Sequence, residues 1–156
     1  MEVQEGKKAP NFKLPSTEGK EVSLSDFKNE QAVVLYFYPK DNTPGCTQES
    51  CDFRDSYKKF KSKGAVILGV SADSLQSHAK FQEKFELPFP LLSDESKEML
   101  KDYGVWKEKS MYGKKYMGIE RTTIIIDKQG KVAKIFPKVK VTGHIGEVFE
   151  AVSSLK

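Results

Sequence analysis

The chain of 156 residues is poor in cysteine, histidine and tryptophan, with two cysteines, two histidines and one tryptophan. Two cysteines are too few for a disulfide framework. The longest apolar run, Ala32–Pro39, is far shorter than the roughly 20 residues of a membrane helix. The start, Met1–Pro10, is charged and has no apolar segment of the kind found in secretory signals. We therefore expect a cytoplasmic protein that does not associate with membranes.

The charge composition argues against a nucleic-acid-binding protein but does not indicate a particular function. There are 26 basic and 22 acidic residues, a formal net charge of +4, with 38% hydrophobic and 31% charged residues, as in ordinary globular proteins. The lysines between positions 58 and 63 follow acidic residues between 49 and 55, a pattern that suits a solvated helix face. No nucleic-acid module is recognisable, so we expect no nucleic-acid partner. One domain, residues 1–156, is expected, and this length can form a core without a metal or disulfide.

The apolar segments predict several buried strands. Ala32–Tyr38 is continuous, β-branched and aromatic, as expected for a strand covered on both faces of a sheet, and Pro39 ends it. Ala65–Val70 and Thr122–Asp127 have the same character. The other predicted strands are short segments around Phe12–Leu14, Val22–Leu24 and Leu91–Leu92, and Lys131–Phe136 after a turn at Asp127–Gly130.

Helical periodicity appears between these strands. From about Cys46 to Lys61, the aromatic residues Phe53, Tyr57 and Phe60 recur at spacings of four and three, which predicts one buried stripe. The other predicted helix features are an N-cap at Ser25–Asp26, a helix capped within Ser71–Ser74 that carries Phe81 and Phe85, a helix from Glu95 to Tyr103, and a helix from Gly146 to Leu155.

The alternation of strands and helices predicts the fold class. Strands separated by helices imply right-handed crossovers in a parallel core, and the last two strands form a hairpin that adds an antiparallel edge. This order is that of the thioredoxin-like folds. We therefore expect an α/β protein with a single thioredoxin-like domain, a mixed central sheet flanked by helices, and an N-terminal β extension.

The segment from Pro39 to Cys46 is the strongest local signal of chemistry. Cys46 lies where a helix is predicted to begin after a buried strand, the edge at which open α/β sheets place their sites. Free backbone N–H groups and the helix dipole favour a thiolate there, and a lowered thiol pKa makes a cysteine nucleophilic. Thr43 can place its hydroxyl beside the sulfur. A lone cysteine is often only a small buried apolar residue, but Pro39 and Thr43 favour a functional one.

Cys51, five residues after Cys46, poses a geometric problem. Five residues of α-helix rise about 7.5 Å and turn about 500°, which places the two Cα atoms roughly 8.7 Å apart. A disulfide needs a Cα separation below about 7 Å. The two cysteines can therefore bond only if the start of the helix unwinds, which Pro44 and Gly45 at the junction make plausible.

Arg121 is the second candidate, from a distant part of the sequence. It directly precedes the strand Thr122–Asp127, which we expect beside the central strand, so its guanidinium can reach the Cys46 loop. A guanidinium there would stabilise a thiolate and bind an oxygen-containing substrate; the alternative is an ordinary solvated arginine. Glu49, one helical turn after Cys46, either orients Arg121 or only favours the first turn of the helix.

A family resemblance is carried by motifs on both sides of the cysteine. The pattern Pro39-x-x-x-Thr43-x-x-Cys46, with Arg121 before a strand, resembles the peroxiredoxins. Further motifs resemble the bacterioferritin comigratory protein (PrxQ) subfamily, and the likeness runs from Ala9–Phe12 to the last helix. These motifs are Cys51, Tyr103–Trp106 and Gly118–Thr123.

The resemblance implies a thiol-dependent peroxidase that reduces hydrogen peroxide and organic hydroperoxides to water or alcohol. It implies that Cys46 is the peroxidatic cysteine and forms a sulfenic acid, and that Cys51 resolves it as an intramolecular disulfide. Thioredoxin or a similar dithiol would then reduce that disulfide. Pro39, Thr43 and Arg121 would complete the pocket, in which Thr43, Cys46 and Arg121 would bind the peroxide. Glu49 would support these residues without binding the peroxide itself. No metal, flavin or haem is implied, and a monomer is expected, with a weak dimer as the alternative.

Three other interpretations stay open. A thioredoxin-fold redox sensor or binding module without turnover would share every motif. A metal site could use Cys46, Cys51, His78 and His144, but the spacing of the cysteines suits zinc poorly, and both histidines read as surface or capping residues. A protein disulfide oxidoreductase is disfavoured because the chain has no Cys-x-x-Cys motif.

Overall fold

A central sheet, two small antiparallel sheets and five α-helices make up the architecture. The computed structural model describes residues 3–155. The strands are β1 (Lys13–Pro15), β2 (Glu21–Ser23), β3 (Ala32–Phe37), β4 (Ala65–Ser71), β5 (Leu91–Ser93), β6 (Trp106–Met111), β7 (Lys114–Ile119), β8 (Thr122–Ile126) and β9 (Val132–Phe136). The helices are α1 (Pro44–Asp55), α2 (Tyr57–Ser62), α3 (Leu75–Phe85), α4 (Glu98–Asp102) and α5 (His144–Ser153), with a 3₁₀ turn at Leu24–Phe27.

The central sheet is mixed and has the strand order β5-β4-β3-β8-β9. Strands β3, β4 and β5 are parallel, while β8 is antiparallel to β3 and β9 is antiparallel to β8. Strands β1 and β2 form the expected N-terminal β extension. The thioredoxin-like prediction is confirmed, including the place of β8 beside the central strand. Antiparallel pairing, however, already begins at β8, because a β-hairpin rather than a crossover helix leads into that strand.

Strand β3 is buried on both faces, which explains its unbroken apolar sequence. Every residue from Ala32 to Tyr38 is at most 4% exposed. Val33, Leu35 and Phe37 belong to one core cluster, whereas Val34 and Tyr36 belong to the other. Alternate side chains of a strand point to opposite faces, so a strand between two cores has no polar face. The site after β3 therefore stands on a rigid base.

The hairpin β6–β7 is the element that sequence patterning missed. Its strands are largely exposed and lysine-rich, without the alternation that predicts a half-buried strand. The turn between them, Tyr112–Gly113, has positive φ at both residues, 53° and 78°. Two consecutive residues with positive φ suit a type I′ turn, so the Tyr-Gly pair was the one sequence feature that could have indicated the hairpin. The hairpin ends two residues before Arg121 and delivers the chain to β8.

Several helix boundaries differ from the prediction. Helix α1 begins at Pro44 rather than Cys46, and Ser56 separates it from α2, so the helix expected to Lys61 is two helices. The cap expected at Ser25–Asp26 is wrong by two residues, because Ser23 is the N-cap and its N–H donates to Asp26 Oδ2 at 3.0 Å. Leu24 consequently lies in the 3₁₀ turn rather than in β2.

The last two predicted helices also differ at their ends. The helix expected over Glu95–Tyr103 is limited to α4, and the terminal helix begins at His144, two residues early. The cap predicted for α3 is confirmed, since Ser74 Oγ accepts from the Ser77 N–H at 3.1 Å. Between residues 3 and 155, no helix has the length and apolar character needed to cross a membrane.

Gly69 in β4 tests how tightly this core is packed. A Cβ added there would lie 2.7 Å from Leu91 Cδ2 and 2.8 Å from the Tyr36 ring. We expect Gly69→Ala to lower the free energy of unfolding by about 1–3 kcal/mol, because a well-packed core cannot admit a methyl group without strain. Gly146 in α5 has no atom within 4 Å of such a Cβ, so Gly146→Ala is the matched control and should raise stability by about 0.5–1 kcal/mol. Urea unfolding of both variants measures this; equal effects of the two would contradict the packing described here.

Candidate active site

Cys46 lies in the first turn of α1, at the end of the loop that follows β3. Pro44 occupies the first helical position, where its missing N–H costs nothing, and Thr43 is the N-cap. The backbone N–H groups of Gly45 and Cys46 find no acceptor within residues 3–155. They and the helix dipole therefore present positive charge at the turn that carries the sulfur. The Cys46 side chain is buried, with 1% exposure.

Arg121 connects the sulfur to Glu49. Its Nη2–H donates to Cys46 Sγ at 3.3 Å, and its Nη1–H donates to Glu49 Oε1 at 2.7 Å. The sheet makes this contact: Thr122, next to Arg121, pairs with Phe37 at the end of β3, so the start of β8 lies where the loop to α1 begins. Gly45 lets the guanidinium approach, since a Cβ there would lie 3.2 Å from Nη2. A donor of this kind favours a thiolate over a thiol.

Glu49 is a buried carboxyl group with half of its hydrogen bonding unmet. It is 1% exposed, and Oε2 has no partner among the described residues. Burial raises the pKa of Glu49 from its ordinary 4.5 to about 7, although Arg121 lowers it. Burial lowers the pKa of Arg121, but Glu49 and Cys46 raise it by more, so the guanidinium stays charged. Cys46, Glu49 and Arg121 therefore form one buried, electrostatically coupled group.

Thr43 and Pro39 border this group less directly. The Thr43 hydroxyl donates to the Lys40 carbonyl at 2.9 Å and makes no helix-cap bond. Its oxygen keeps lone pairs for another donor. Pro39 is exposed and closes the strand two residues after β3 ends.

Cys51 shares α1 with Cys46, and both thiols are free. Its side chain is half-buried, and burial raises the pKa of the Cys51 thiol while Arg54 opposes this. Because α1 runs without a break from Pro44 to Asp55, the helical separation of roughly 8.7 Å between the Cα atoms applies here. The two sulfurs can meet only when the first part of α1 has unwound.

The two histidines, which the sequence indicated to be surface or capping residues, are both buried. His78 is 0% exposed and His144 is 2% exposed. His78 lies on the stripe of α3 that also buries Phe81, three residues later, a spacing that could have revealed it. His144 Nε2 and Thr123 Oγ1 are 2.7 Å apart, and Nδ1 lies 2.7 Å from Glu147 Oε1.

The cysteines and histidines do not form the metal cluster considered above. Within residues 3–155, the one group of metal-binding side chains is Asp41, Asp73 and His78, which contains no cysteine. Its atoms already bond to protein groups: His78 Nδ1 lies 2.7 Å from Asp41 Oδ2, and Asp73 Oδ2 accepts from the Asp41 N–H at 2.8 Å. The sequence did not single out Asp41 or Asp73.

Comparison with known proteins assigns the family. Residues 5–135 match the profile of the AhpC/TSA family. The chain belongs to the AhpC/TSA family of peroxiredoxins. It is 49% identical over 155 residues to peroxiredoxin Bcp of Bacillus subtilis, which covers 99% of this chain and 98% of the relative.

Solved structures support the same assignment. The chain superposes on a PrxQ mutant of Xylella fastidiosa with a TM-score of 0.93 at 37% identity, covering 99% and 98% of the two chains. It superposes on the bacterioferritin comigratory protein of Xanthomonas campestris, described for alkyl peroxide reduction, with a TM-score of 0.90 at 39% identity over 97% and 98%.

The peroxiredoxin is therefore a thiol-dependent peroxidase of the atypical two-cysteine type. Its family implies a peroxide substrate and a thioredoxin-type reductant. The relatives also favour the peroxidase over the sensor or binding module.

The buried Glu49 predicts a pH dependence of stability. A folded-state pKa of about 7, above the ordinary 4.5, means that the unfolded chain releases this proton first as pH rises. The contribution of Glu49 is therefore complete below pH 4.5 and is lost between pH 4.5 and about 7. We expect the unfolding free energy of the wild type, relative to Glu49→Gln, to fall by up to about 3 kcal/mol across that range.

Urea unfolding at several pH values measures this difference. The exposed Glu30→Gln is the control and should follow the wild-type pH profile. Parallel profiles of the wild type and Glu49→Gln would show that folding does not raise the pKa of Glu49.

Proposed function

We propose that Cys46 is the peroxidatic cysteine and that Arg121, Thr43 and Pro39 form its substrate site. The contact that carries the proposal is the guanidinium N–H on Cys46 Sγ, at a helix N-terminus with unbonded N–H groups. Both features favour an ionised sulfur. Burial strengthens them, because water competes little for these hydrogen bonds.

The peroxide step follows from this arrangement. The Cys46 thiolate attacks one peroxide oxygen, the O–O bond breaks, and the other oxygen leaves as hydroxide or alkoxide, which takes up a proton to become water or alcohol. Arg121, the Cys46 N–H and the Thr43 hydroxyl are the donors that would hold the oxygens and stabilise the developing charge. The sulfur becomes a sulfenic acid, the first and reversible step of cysteine oxidation.

Cys51 is the proposed resolving cysteine. After the first part of α1 unwinds, the Cys51 sulfur attacks the Cys46 sulfenic acid, forming an intramolecular disulfide and releasing water. A dithiol protein of the thioredoxin type then supplies two electrons by thiol–disulfide exchange and restores both thiols. A single chain holds both cysteines, so we propose a working monomer in a reducing compartment such as the cytoplasm.

The proposed substrates are hydrogen peroxide and small organic hydroperoxides. The described activity of the Xanthomonas campestris relative supports the alkyl peroxides. Pro39 in this proposal limits water beside the sulfur, and Glu49 orients Arg121 through the 2.7 Å hydrogen bond.

The two cysteines should fail differently when replaced. Cys46→Ser should abolish peroxide consumption, because no nucleophile remains. Cys51→Ser should still consume about one equivalent of peroxide but stop turnover with thioredoxin and its reductase, since its sulfenic acid cannot be resolved. NADPH-coupled assays and peroxide titration of each variant measure this. Normal cycling of Cys51→Ser would assign resolution to another thiol.

Arg121 should be irreplaceable even by lysine. Arg121→Lys keeps the charge but lacks the planar fork that donates to Cys46 and Glu49 at the same time. We therefore expect the rate constant for the reaction of Cys46 with peroxide to fall by about 10²–10³-fold. Stopped-flow measurements with hydrogen peroxide test this. Arg54→Lys, an arginine of α1 paired with Asp55, is the control and should react like the wild type. Equal rates for wild type and Arg121→Lys would remove Arg121 from the site.

A further inference from the structure

The loop that leads to Cys46 contains a buried carboxylate with no assigned role. Between Pro39 and Thr43, Asp41 is buried at 6% exposure while its neighbours Lys40 and Asn42 are exposed. A charged side chain is buried in an exposed loop only when other groups satisfy it.

Three side-chain donors converge on this carboxylate. The Tyr38 hydroxyl donates to Oδ1 at 2.6 Å, and the Ser77 hydroxyl donates to Oδ2 at 2.7 Å. His78 Nδ1 also lies 2.7 Å from Oδ2. Both Asp41 carboxyl oxygens are therefore bonded to side chains inside the protein, away from the loop surface.

His78 is hydrogen-bonded on both sides of its ring. Its second nitrogen, Nε2, lies 2.8 Å from the Leu92 carbonyl oxygen, which can only accept. With Nδ1 against Asp41 and Nε2 against Leu92, both ring nitrogens have a partner inside the protein. His78 and Asp41 therefore form a fully buried hydrogen-bonded pair, and removing either partner leaves the other with an unsatisfied buried polar group.

The backbone of Asp41 is held as well. Its N–H donates to Asp73 Oδ2 at 2.8 Å, an oxygen that also accepts from the Ser71 hydroxyl at 2.7 Å. Ser71 ends β4, His78 belongs to α3 and Leu92 to β5. The Asp41 clamp, meaning Asp41 with Tyr38, Asp73, Ser77 and His78, therefore ties the loop to β4, α3 and β5.

A second anchor lies beyond Cys46. Tyr36 and Ser50 share a buried hydrogen bond of 2.9 Å, and the Tyr36 and Phe53 rings stack with centroids 4.7 Å apart. The turn that carries Cys46 lies between this anchor and the Asp41 clamp. Unwinding that lets Cys51 reach Cys46 must begin in this interval, so the clamp fixes its upstream end.

We propose that the buried Asp41–His78 pair is a positioning device that keeps the first turn of α1 folded and so sets the fate of oxidised Cys46. The inference rests on the proposed function. In the folded turn, the sulfenic acid can meet a second peroxide, which oxidises it to the sulfinic acid and leaves as water or alcohol. In the unwound turn it condenses with Cys51 and releases water. A weaker clamp favours the second fate.

Two substitutions test the pair. Asp41→Asn replaces the carboxyl group by an amide with little change of shape, and His78→Gln removes the imidazole ring. We expect both to slow the reaction of Cys46 with hydrogen peroxide by about tenfold, through lost preorganisation. We also expect both to lower, by about threefold or more, the fraction of chains reaching sulfinic acid per turnover, because resolution gains relative to further oxidation. Intact mass after peroxide titration with thioredoxin measures that fraction.

The control separates positioning from lost stability. Val22→Ala removes buried volume in the core cluster that contains Val33, Leu35 and Phe37, whereas Tyr38 of the clamp belongs to the other cluster. It should lower the melting temperature yet leave the peroxide rate and the sulfinic fraction at wild-type values. Clamp variants that match Val22→Ala in both readouts at equal loss of stability would overturn the proposal.

A milder variant keeps the proposal testable if the buried pair proves necessary for folding. Ser77→Ala removes one donor to Asp41 and retains the Asp41–His78 pair, so it should shift both readouts in the same direction by about twofold. Ser77→Ala indistinguishable from wild type would likewise contradict the clamp. If the wild type consumes no peroxide, the proposed function fails; if it cycles through Cys51 while no clamp variant shifts the sulfinic fraction, only this inference fails.

Discussion

The hydrogen bond from Arg121 to Cys46 depends on the antiparallel pairing of β3 and β8. This pairing brings the residue before β8 to the point where the chain leaves β3 for α1. The guanidinium then lies between a sulfur and a carboxylate separated by three positions in α1. Without this register, the helix N-terminus alone would act on the sulfur, and the buried Glu49 would have no cation beside it.

Around this contact the fold combines rigid supports with a segment that has to move. Strand β3 is enclosed by two cores. Asp41, before the turn that carries Cys46, and Ser50, after it, both bond into buried parts of the protein. The first turn of α1, with Cys46, lies between them, and Glu49 in the next turn is an incompletely bonded carboxyl group. A buried carboxyl group with an unmet oxygen weakens the helix where unwinding is required. Residues that anchor the segment, Asp41 and Ser50, thus lie within a few positions of the turn that carries Cys46.

The fold was largely predictable because the pattern of the core strands is strong. Ala32–Tyr38 and Ala65–Val70 are apolar at every position, a pattern that a strand between two cores produces. The hairpin β6–β7 escaped prediction because its strands pair with each other and bury little, so their side chains carry no periodic signal. Helix ends shifted by a few residues where local capping, as at Ser23, competes with the apolar pattern.

By itself the sequence determined the position of the proposed reactive cysteine, since Pro39, Thr43 and Cys46 are neighbours whose spacing reflects a local turn into a helix. It also determined that Cys46 and Cys51 cannot bond within an intact helix, because helix geometry is the same in every protein. Only the tertiary structure decided that Arg121 and Glu49 meet at the sulfur, and that His78, which resembles a surface residue, forms a buried hydrogen-bonded pair with Asp41. Those contacts join residues 37 to 75 positions apart, and strand register and helix packing set them, which no local pattern records.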